Sequence, residues 1–557
     1  MPKSIQRIGI FLFLTGLASI LYIVFASFSR TTASQNAQLV AAISEENKLA
    51  HYYVFFKDKG PALGTYVEMD QRVAQRRQLQ QLAPKDDYDR AVYQGYIDQV
   101  AQQVDSLRIR SRWLNAVSVR ASSEQINTLY QLDFVERIRP FRSEAVLSQS
   151  PVSKAGDDNP RLDTLLSLSH GLMGLDTLDH TKLNAKGVRI AILDAGFKGA
   201  NQHPALQKLM KSDRVVDTYD FYKDRKTVYA NSSHGLQVLS CLAGYYGDRP
   251  MGAATEAEYL LARIVKQFFA LGNDEDLWIA AAEWAEANGA EIINSSITYV
   301  ENYLTPGEMD GLSSPVTQAA QIAAKKGVLV VCAMGNEGDK AWRIMGAPAD
   351  ALEVLSVGGT YPMVPLHLPM ASKGPNSRRK LKPNLAAPAF VLAALHKNLF
   401  GESVGTSFST PLVAGIAGVL RQQYPQLKPA ELISRLERAG HFYPYYDYEL
   451  GYGVPNMTRL LTDSIPMADS LFQIRLVRDT VWLDFDTLYM RKDTQNFPYG
   501  RMLYYHLERP EQYLKSYQGY RIPNNTASHY FIRQTPAFGK LRIWMDDYLY
   551  EKRFNGE

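Results

Sequence analysis

Between about 176 and 460, short apolar runs that end in Gly or Asp alternate with Ala-rich stretches. VRIAILDAG (188–196), EYLLARIV (258–265), AEIINSSI (290–297), GVLVVCAMGN (327–336) and ALEVLSVGG (351–359) are apolar almost without interruption. That pattern predicts strands buried on both faces, as in a parallel sheet. DEDLWIAAAEWAEANG and PVTQAAQIAAKKG predict helices between them, each stopped by a glycine. The alternation implies an α/β fold with a doubly wound, mostly parallel sheet, whose sites sit at the carboxyl ends of its strands.

The flanks read differently. In 51–141, HYYVFFKDKG predicts a strand and turn, and the charged, Gln-rich residues 68–104 have helical composition. SRWLNAVSVRA (111–121) alternates like a strand. SSEQINTLYQL predicts a helix: Ser122 and Gln125 fit a capping box, and Ile126, Leu129 and Tyr130 share a face. FVERIRP predicts a last strand, which completes a small α+β domain. Residues 142–175 begin polar and turn-forming and read as a linker, and 176–462 is the α/β domain. In 466–557, FQIRLVRDTVWLDFDTLYMR alternates with period two among many aromatic residues, which predicts a β-rich domain, a small sandwich packed on its neighbour.

At the start, Lys3 and Arg7 precede an uncharged apolar run, residues 8–28. Within 1–35 this is a signal peptide or a membrane anchor, so the rest is expected in the cell envelope, the periplasm or the medium, touching a membrane only through 8–28. No cysteine follows, which excludes a lipid-anchored form.

Of 557 residues, 46% are hydrophobic and 21% charged, ordinary for a folded chain. A net charge of +4 gives no footprint for nucleic acid as a partner. Two cysteines, Cys241 and Cys332, exclude a disulfide scaffold and a cysteine zinc site, and both read as buried thiols. No residue set reads as a metal site, and no cofactor is identified.

Four polar residues stand out at predicted element ends. Asp194 ends VRIAILD, His234 opens HGLQVLSCLAG, Asn336 lies in AMGNEG, and Ser407 lies in GTSFSTPLVAG. Each alone reads as a cap or turn residue. Together they supply a complete hydrolytic set. A serine hydroxyl needs a histidine to take its proton, and the histidine needs a carboxylate to fix its tautomer. The developing oxyanion needs fixed donors, here the Asn336 amide and the Ser407 N–H at a helix start. Gly405 and Gly235 are expected to leave room for a substrate backbone.

The order Asp, His, Asn, Ser, within AILDAG, SSHGLQVLSCLAG, AMGNEG and GTSFSTPLVAG, resembles the subtilisin-like serine peptidases, the subtilases, in their exported bacterial form. The likeness covers about 180–460. It implies a serine endopeptidase with Asp194, His234 and Ser407 as triad and Asn336 and Ser407 as oxyanion hole. NSSIT (294–298) is similar to the family's substrate-binding strand, which implies substrate contacts at Ser296, Ile297, Thr298, Ala333, Met334 and Gly335. LNAVSVRASSEQINTLYQLDFVERIRP resembles the second half of subtilase propeptides, so 51–141 is expected to inhibit a self-processing zymogen cut within 142–175. Its partners are then peptide substrates and its own propeptide. Many subtilases bind calcium, and that resemblance is the sole ground for calcium here. Three positions depart from the family: Ala195 for Thr or Ser, Leu236 for Thr, and Thr298 for Gly. The first two are expected to alter helper hydrogen bonds and the third to narrow a specificity pocket. The competing reading is a catalytically silent envelope protein on the same scaffold, which commonly lacks the serine or the histidine; both are present.

Overall fold

The structure is a computed structural model that describes residues 49–60, 65–141, 143–146, 153–155, 159–265, 274–301, 305–465, 470–477, 480–491, 500–511, 513–532 and 539–553. The apolar run 8–28 lies outside them. Among the described residues no helix is long and apolar enough to cross a membrane.

The chain forms two compact units. The described part of the first is 49–60, 92–110 and 115–141. Its strands β1 (Ala50–Phe56), β2 (Ser106–Ser111), β3 (Ala116–Ala121) and β4 (Val135–Pro140) form a sheet of order β2-β3-β1-β4. Strand β1 pairs antiparallel with both neighbours. Alternate residues of the sheet, among them Tyr52, Val54, Val117 and Val119, meet Ile97, Val100, Ile126 and Leu129 of two helices in one core. The Ser122–Gln125 capping box starts the second helix as expected. One expectation is corrected: the strand foreseen over 111–121 is the second arm of a hairpin. Asn115, at φ 50°, takes the left-handed turn conformation that asparagine tolerates, and β2 precedes it.

The described part of the second is 65–91, 111–114 and the described residues from 143 onward. Its centre is a seven-stranded sheet. The strands are β7 (Arg189–Asp194), β8 (Val215–Asp220), β9 (Glu258–Arg263), β10 (Ile292–Ser295), β12 (Leu329–Ala333), β13 (Leu355–Thr360) and β14 (Leu385–Pro388). Their order is β14-β13-β12-β10-β7-β9-β8, and every pairing is parallel. The chain begins at β7, moves out to one edge, then returns and builds toward the other. The switch of direction lies between β7 and β10, the place where such sheets leave a crevice at their carboxyl ends. The interposed helices Glu275–Ala287 and Pro315–Lys325 end as foreseen, with Gly289 and Gly327 at φ 78° and 85°. The helix Thr406–Gln423 packs on β10, β12, β13 and β14 and on the helix His234–Ala243.

Further strands complete this unit. Strand β11 (Thr298–Glu301) follows β10 and pairs antiparallel with β5 (Ser143–Val146). Strands β15 (Phe390–Leu395) and β16 (Leu399–Val404) form a hairpin, and β6 (Ser153–Ala155) pairs antiparallel with β16. At the C-terminal end, Phe472–Val477, Thr480–Phe485 and Ser528–Ile532 form one antiparallel sheet. Arg501–Glu508, Leu514–Ile522, Lys540–Met545 and Tyr548–Arg553 form another. Leu483, Phe485, Leu503, Leu507, Leu541 and Ile543 share one core between them, the sandwich foreseen. Tyr504 and Trp544 join Phe442, Tyr445, Leu450 and Ala386 in an aromatic cluster that seats this domain on the α/β body.

Candidate active site

Asp194 is the last residue of β7 and fully buried. His234 is the first residue of its helix and equally buried. Its Nδ1 lies 2.8 Å from Asp194 Oδ1 and 3.0 Å from Oδ2. This reach needs a close approach of helix to strand. A Cβ on Gly235 would stand 2.7 Å from the Gly196 carbonyl oxygen and from the Phe197 ring, and the Gly235 N–H donates to that carbonyl at 2.9 Å. The room expected beside Gly235 for a substrate is thus taken by the chain's own Gly196 and Phe197. Gly196, at φ 137°, adopts backbone that favours glycine. Ala195 is not an empty substitution: its backbone N–H donates to Asp194 Oδ1 at 2.7 Å, a bond any residue there would supply. Leu236 is simply core.

Ser407 is the second residue of its helix, after Gly405 as cap at φ 141°. Its hydroxyl donates to the Ser296 carbonyl at 3.0 Å, and the Ser296 hydroxyl donates to the Ser407 carbonyl at 2.9 Å. The second bond has a cause four residues on. Pro411 has no N–H, so the usual helical partner of the Ser407 carbonyl is missing, and Ser296 takes its place. The exit of β10 is thereby locked to the start of this helix. The next residue, Phe408, sets its ring 5.6 Å from the His234 ring, centre to centre.

Asn336 follows β12. Its Oδ1 accepts the Thr406 N–H at 2.9 Å and lies 3.2 Å from Thr406 Oγ1. Thr406 Oγ1 also lies 3.1 Å from the Gly335 carbonyl oxygen. The oxygen end of the amide is thus spoken for, and the NH₂ end is directed away from Thr406. Ala333, Met334 and Gly335 form the strand exit next to that of β10, and with Ser296, Ile297 and Thr298 they are all buried. Asp194 and His234 are joined directly. Ser407 joins Ser296, and Asn336 joins Thr406, the residue just before Ser407. The roles of Thr406, and of Ser296 as an anchor, were not read from the sequence; the spacing of Ser407 and Pro411 was the available signal. Burial pushes the thiols of Cys241, to about 12, and of Cys332, further still, so both stay protonated and inert.

Residues 185–453 match the Subtilase family (Peptidase_S8), and residues 51–155 match the Peptidase S8 propeptide domain of Bacteroidota. The chain carries a subtilase domain behind a subtilase propeptide. Alkaline elastase YaB of Bacillus sp. (strain YaB) is 24% identical over 330 residues, 58% of this chain and 79% of that one. Subtilisin of Bacillus pumilus is 25% identical over 277 residues, 47% of this chain and 89% of that one. Among solved structures, fervidolysin from Fervidobacterium pennivorans, a keratinolytic enzyme related to subtilisin, superposes with a TM-score of 0.54. It is 17% identical, and the match covers 90% of this chain and 71% of that one, a likeness of fold. The protein is a subtilisin-like serine endopeptidase. The propeptide match runs past 141, the boundary read from composition, to take in β5 and β6.

Proposed function

We propose that Ser407 is the nucleophile, His234 its base, Asp194 the group that orients His234, and Asn336 with the Ser407 N–H the oxyanion hole. The observation that carries this reading is the bond from His234 Nδ1 to both oxygens of the buried Asp194, at 2.8 and 3.0 Å. It puts the proton on Nδ1 and leaves Nε2 as the acceptor. The Ser407 hydroxyl turns about Cα–Cβ from the Ser296 carbonyl toward Nε2 and gives up its proton as Oγ attacks the scissile carbonyl. The oxyanion then lies at the positive end of the helix and receives the Asn336 amide. His234 passes the proton to the leaving amine, and water repeats the sequence on the acyl-enzyme. Asn336→Ala is expected to lower kcat by roughly 10²–10³, the size such a loss takes in subtilisin, with little change in KM. Steady-state kinetics on one peptide would decide, and a raised KM at constant kcat would make Asn336 a ground-state contact instead.

The chain is also read as a zymogen that cuts itself. Strand β5 runs antiparallel to β11, with Val146 opposite Thr298, and β6 lies on β16, the strand that leads into Ser407. These pairings support a cut within 147–160, inside the linker 142–175. An intramolecular cut has a rate independent of protein concentration. The wild type should split into two fragments with a new N-terminus within 147–160, at a rate unchanged by dilution, and a fluorophosphonate should label the larger. Active enzyme with the propeptide still covalently attached would refute self-processing; absence of labelling would leave the silent scaffold. Export rests on residues 8–28 alone, and calcium on family likeness alone.

A further inference from the structure

A cavity of about 480 Å³ opens where the segment 443–452 meets the C-terminal strands Arg501–Glu508 and Lys540–Met545. The described residues that line it include none assigned to catalysis. Its volume is that of a small-molecule site, which runs to about 300–1,000 Å³. One wall is aromatic. The Tyr452 ring stands 5.2 Å from that of Tyr443 and 5.8 Å from that of Tyr446, centre to centre. Burial raises the Tyr446 and Tyr452 phenols and nearby carboxylates add to it, so both keep their protons. The other wall is charged. Arg509, Lys540, Arg542 and Arg553 line it, against the carboxylate of Glu508. Glu551 answers part of this: its Oε2 accepts from Arg542 at 2.7 Å, and its Oε1 lies 3.7 Å from Lys540 Nζ and 3.8 Å from Arg553 Nε. Four cations thus face two carboxylates, an excess of two positive charges. The walls are tied to each other without a ligand. His506 Nδ1 lies 2.7 Å from the Tyr446 carbonyl oxygen, and Arg542 Nη1 donates to the Pro444 carbonyl at 3.3 Å.

Glu508 decides what the cavity takes. It is 6% exposed, and its Oε2 accepts no hydrogen bond among the described residues. Lys540 Nζ stands 3.7 Å from that oxygen, beyond hydrogen-bond reach. A buried carboxylate oxygen beside a cavity calls for an O–H or N–H donor, and the surplus cations call for an anion. A bare phosphate or sulfate meets the cations but gives Glu508 no N–H or hydroxyl group fixed beside the charge. An acidic peptide side chain brings its carboxylate with no donor on the same rigid frame. A sugar acid carries a carboxylate and free hydroxyls on one ring, and the C–H face of that ring packs on tyrosine. We propose that this cavity binds an acidic sugar, with its carboxylate toward Lys540 and Arg553, a hydroxyl on Glu508 and the ring face on the tyrosines. The site is separate from the catalytic reading and would hold the peptidase on an acidic glycan.

The test is titration calorimetry on the full chain with galacturonic acid, its linear trimer, maltotriose, sodium sulfate and triglutamate. The peptide arm uses Ser407→Ala, so that the probe is not consumed. The trimer should bind one per chain, at least about tenfold more tightly than maltotriose, sulfate or triglutamate, and more weakly as salt is raised. A monomer that binds as tightly as the trimer assigns a free sugar, and a tighter trimer assigns a chain; either upholds the site. Lys540→Gln and Tyr452→Ala should each weaken the trimer by about tenfold. Arg553→Gln should weaken it by about threefold; its side chain is 76% exposed, so the change leaves folding alone. Thermal melts confirm that each variant is folded. Triglutamate or sulfate bound as tightly as the trimer would overturn the sugar. A trimer that fails to bind, or binds Lys540→Gln and Arg553→Gln as it binds wild type, would overturn the site. None of these outcomes bears on Ser407, which fluorophosphonate labelling reports separately.

Discussion

Ser407→Ala will lower kcat for peptide hydrolysis by about 10⁶-fold, the size of the loss when the triad serine is removed from subtilisin. The residue that remains still holds the oxyanion donors, so a rate some 10³–10⁴ above water is expected to survive. The fold should survive too. The mutation deletes one hydroxyl, whose bond to the Ser296 carbonyl is worth about 1 kcal/mol. The bond that locks helix to strand runs the other way, from Ser296 to the Ser407 carbonyl, and alanine keeps that carbonyl. The mutant should therefore melt within a few degrees of wild type while losing all fluorophosphonate labelling. It should also persist uncut, because the same hydroxyl is proposed to open the bond after the propeptide. Peptide kinetics, a thermal melt and a gel of the expressed protein check the three parts together. Turnover near the wild-type rate would remove Ser407 from the mechanism whatever the other two showed.

The sheet was legible because parallel strands are buried on both faces, and several short, continuous apolar runs in succession fit little else. The candidate site was legible because Asp194 and Asn336 follow those runs, at the strand ends that the topology gathers, while His234 and Ser407 stand at the starts of apolar helices. Other features depend on contacts that no local pattern carries. Residues 106–121 hold a hairpin, yet no Gly or Pro marks its turn; Asn115 makes it, and the period-two alternation of β3 runs straight back into it. The bond from Ser296 to Ser407 joins residues 111 apart. Its cause, Pro411, was visible, but the partner was not. Gly235 was read as substrate room because its neighbours in space, Gly196 and Phe197, are 39 and 38 positions away. Burial was not legible in a further place. Residues 68–104 have helical composition, and arginines are rarely buried. Yet Arg76 and Arg77, on the helix Gln71–Leu79, are 3% and 1% exposed.

Those arginines carry the second large effect: Glu286→Ala is expected to destabilise the α/β unit by about 3–5 kcal/mol. Glu286 is fully buried. Its Oε1 accepts from Arg76 at 2.8 Å and from Arg77 at 3.1 Å, and its Oε2 accepts from Arg112 at 2.9 Å. Removing it harms the three unequally. Arg77 keeps Asp89 at 2.6 and 2.8 Å, and Arg112 keeps Glu283 at 3.1 Å. Arg76 is left with the carbonyls of Ala290 and Lys326 and no carboxylate bond, a buried cation without its counter-ion. A drop in melting temperature on the order of 10 °C should follow. Glu286→Gln, which keeps an acceptor but no charge, should fall between. Acid should attack the same cluster through Asp89. Burial pushes its carboxyl up, but hydrogen bonds from Arg77, Lys326 and the Asp86 backbone outweigh this and hold it well below the usual carboxylate range. A lowered carboxylate contributes stability above its unfolded pKa, about 3.9, and loses it as pH falls from there. Glu283 has the opposite sign: burial raises its carboxyl above 4.5 against the pull of Arg112 and Ser111, so its share declines as pH rises through that raised value. Asp89→Asn should accordingly flatten the loss of stability below pH 4 and leave the opposite contribution of Glu283 in place. A Glu286→Ala protein that melts with the wild type would mean that Arg76 finds water once its partner is gone. Packing, rather than charge, would then hold the helix Gln71–Leu79 in place.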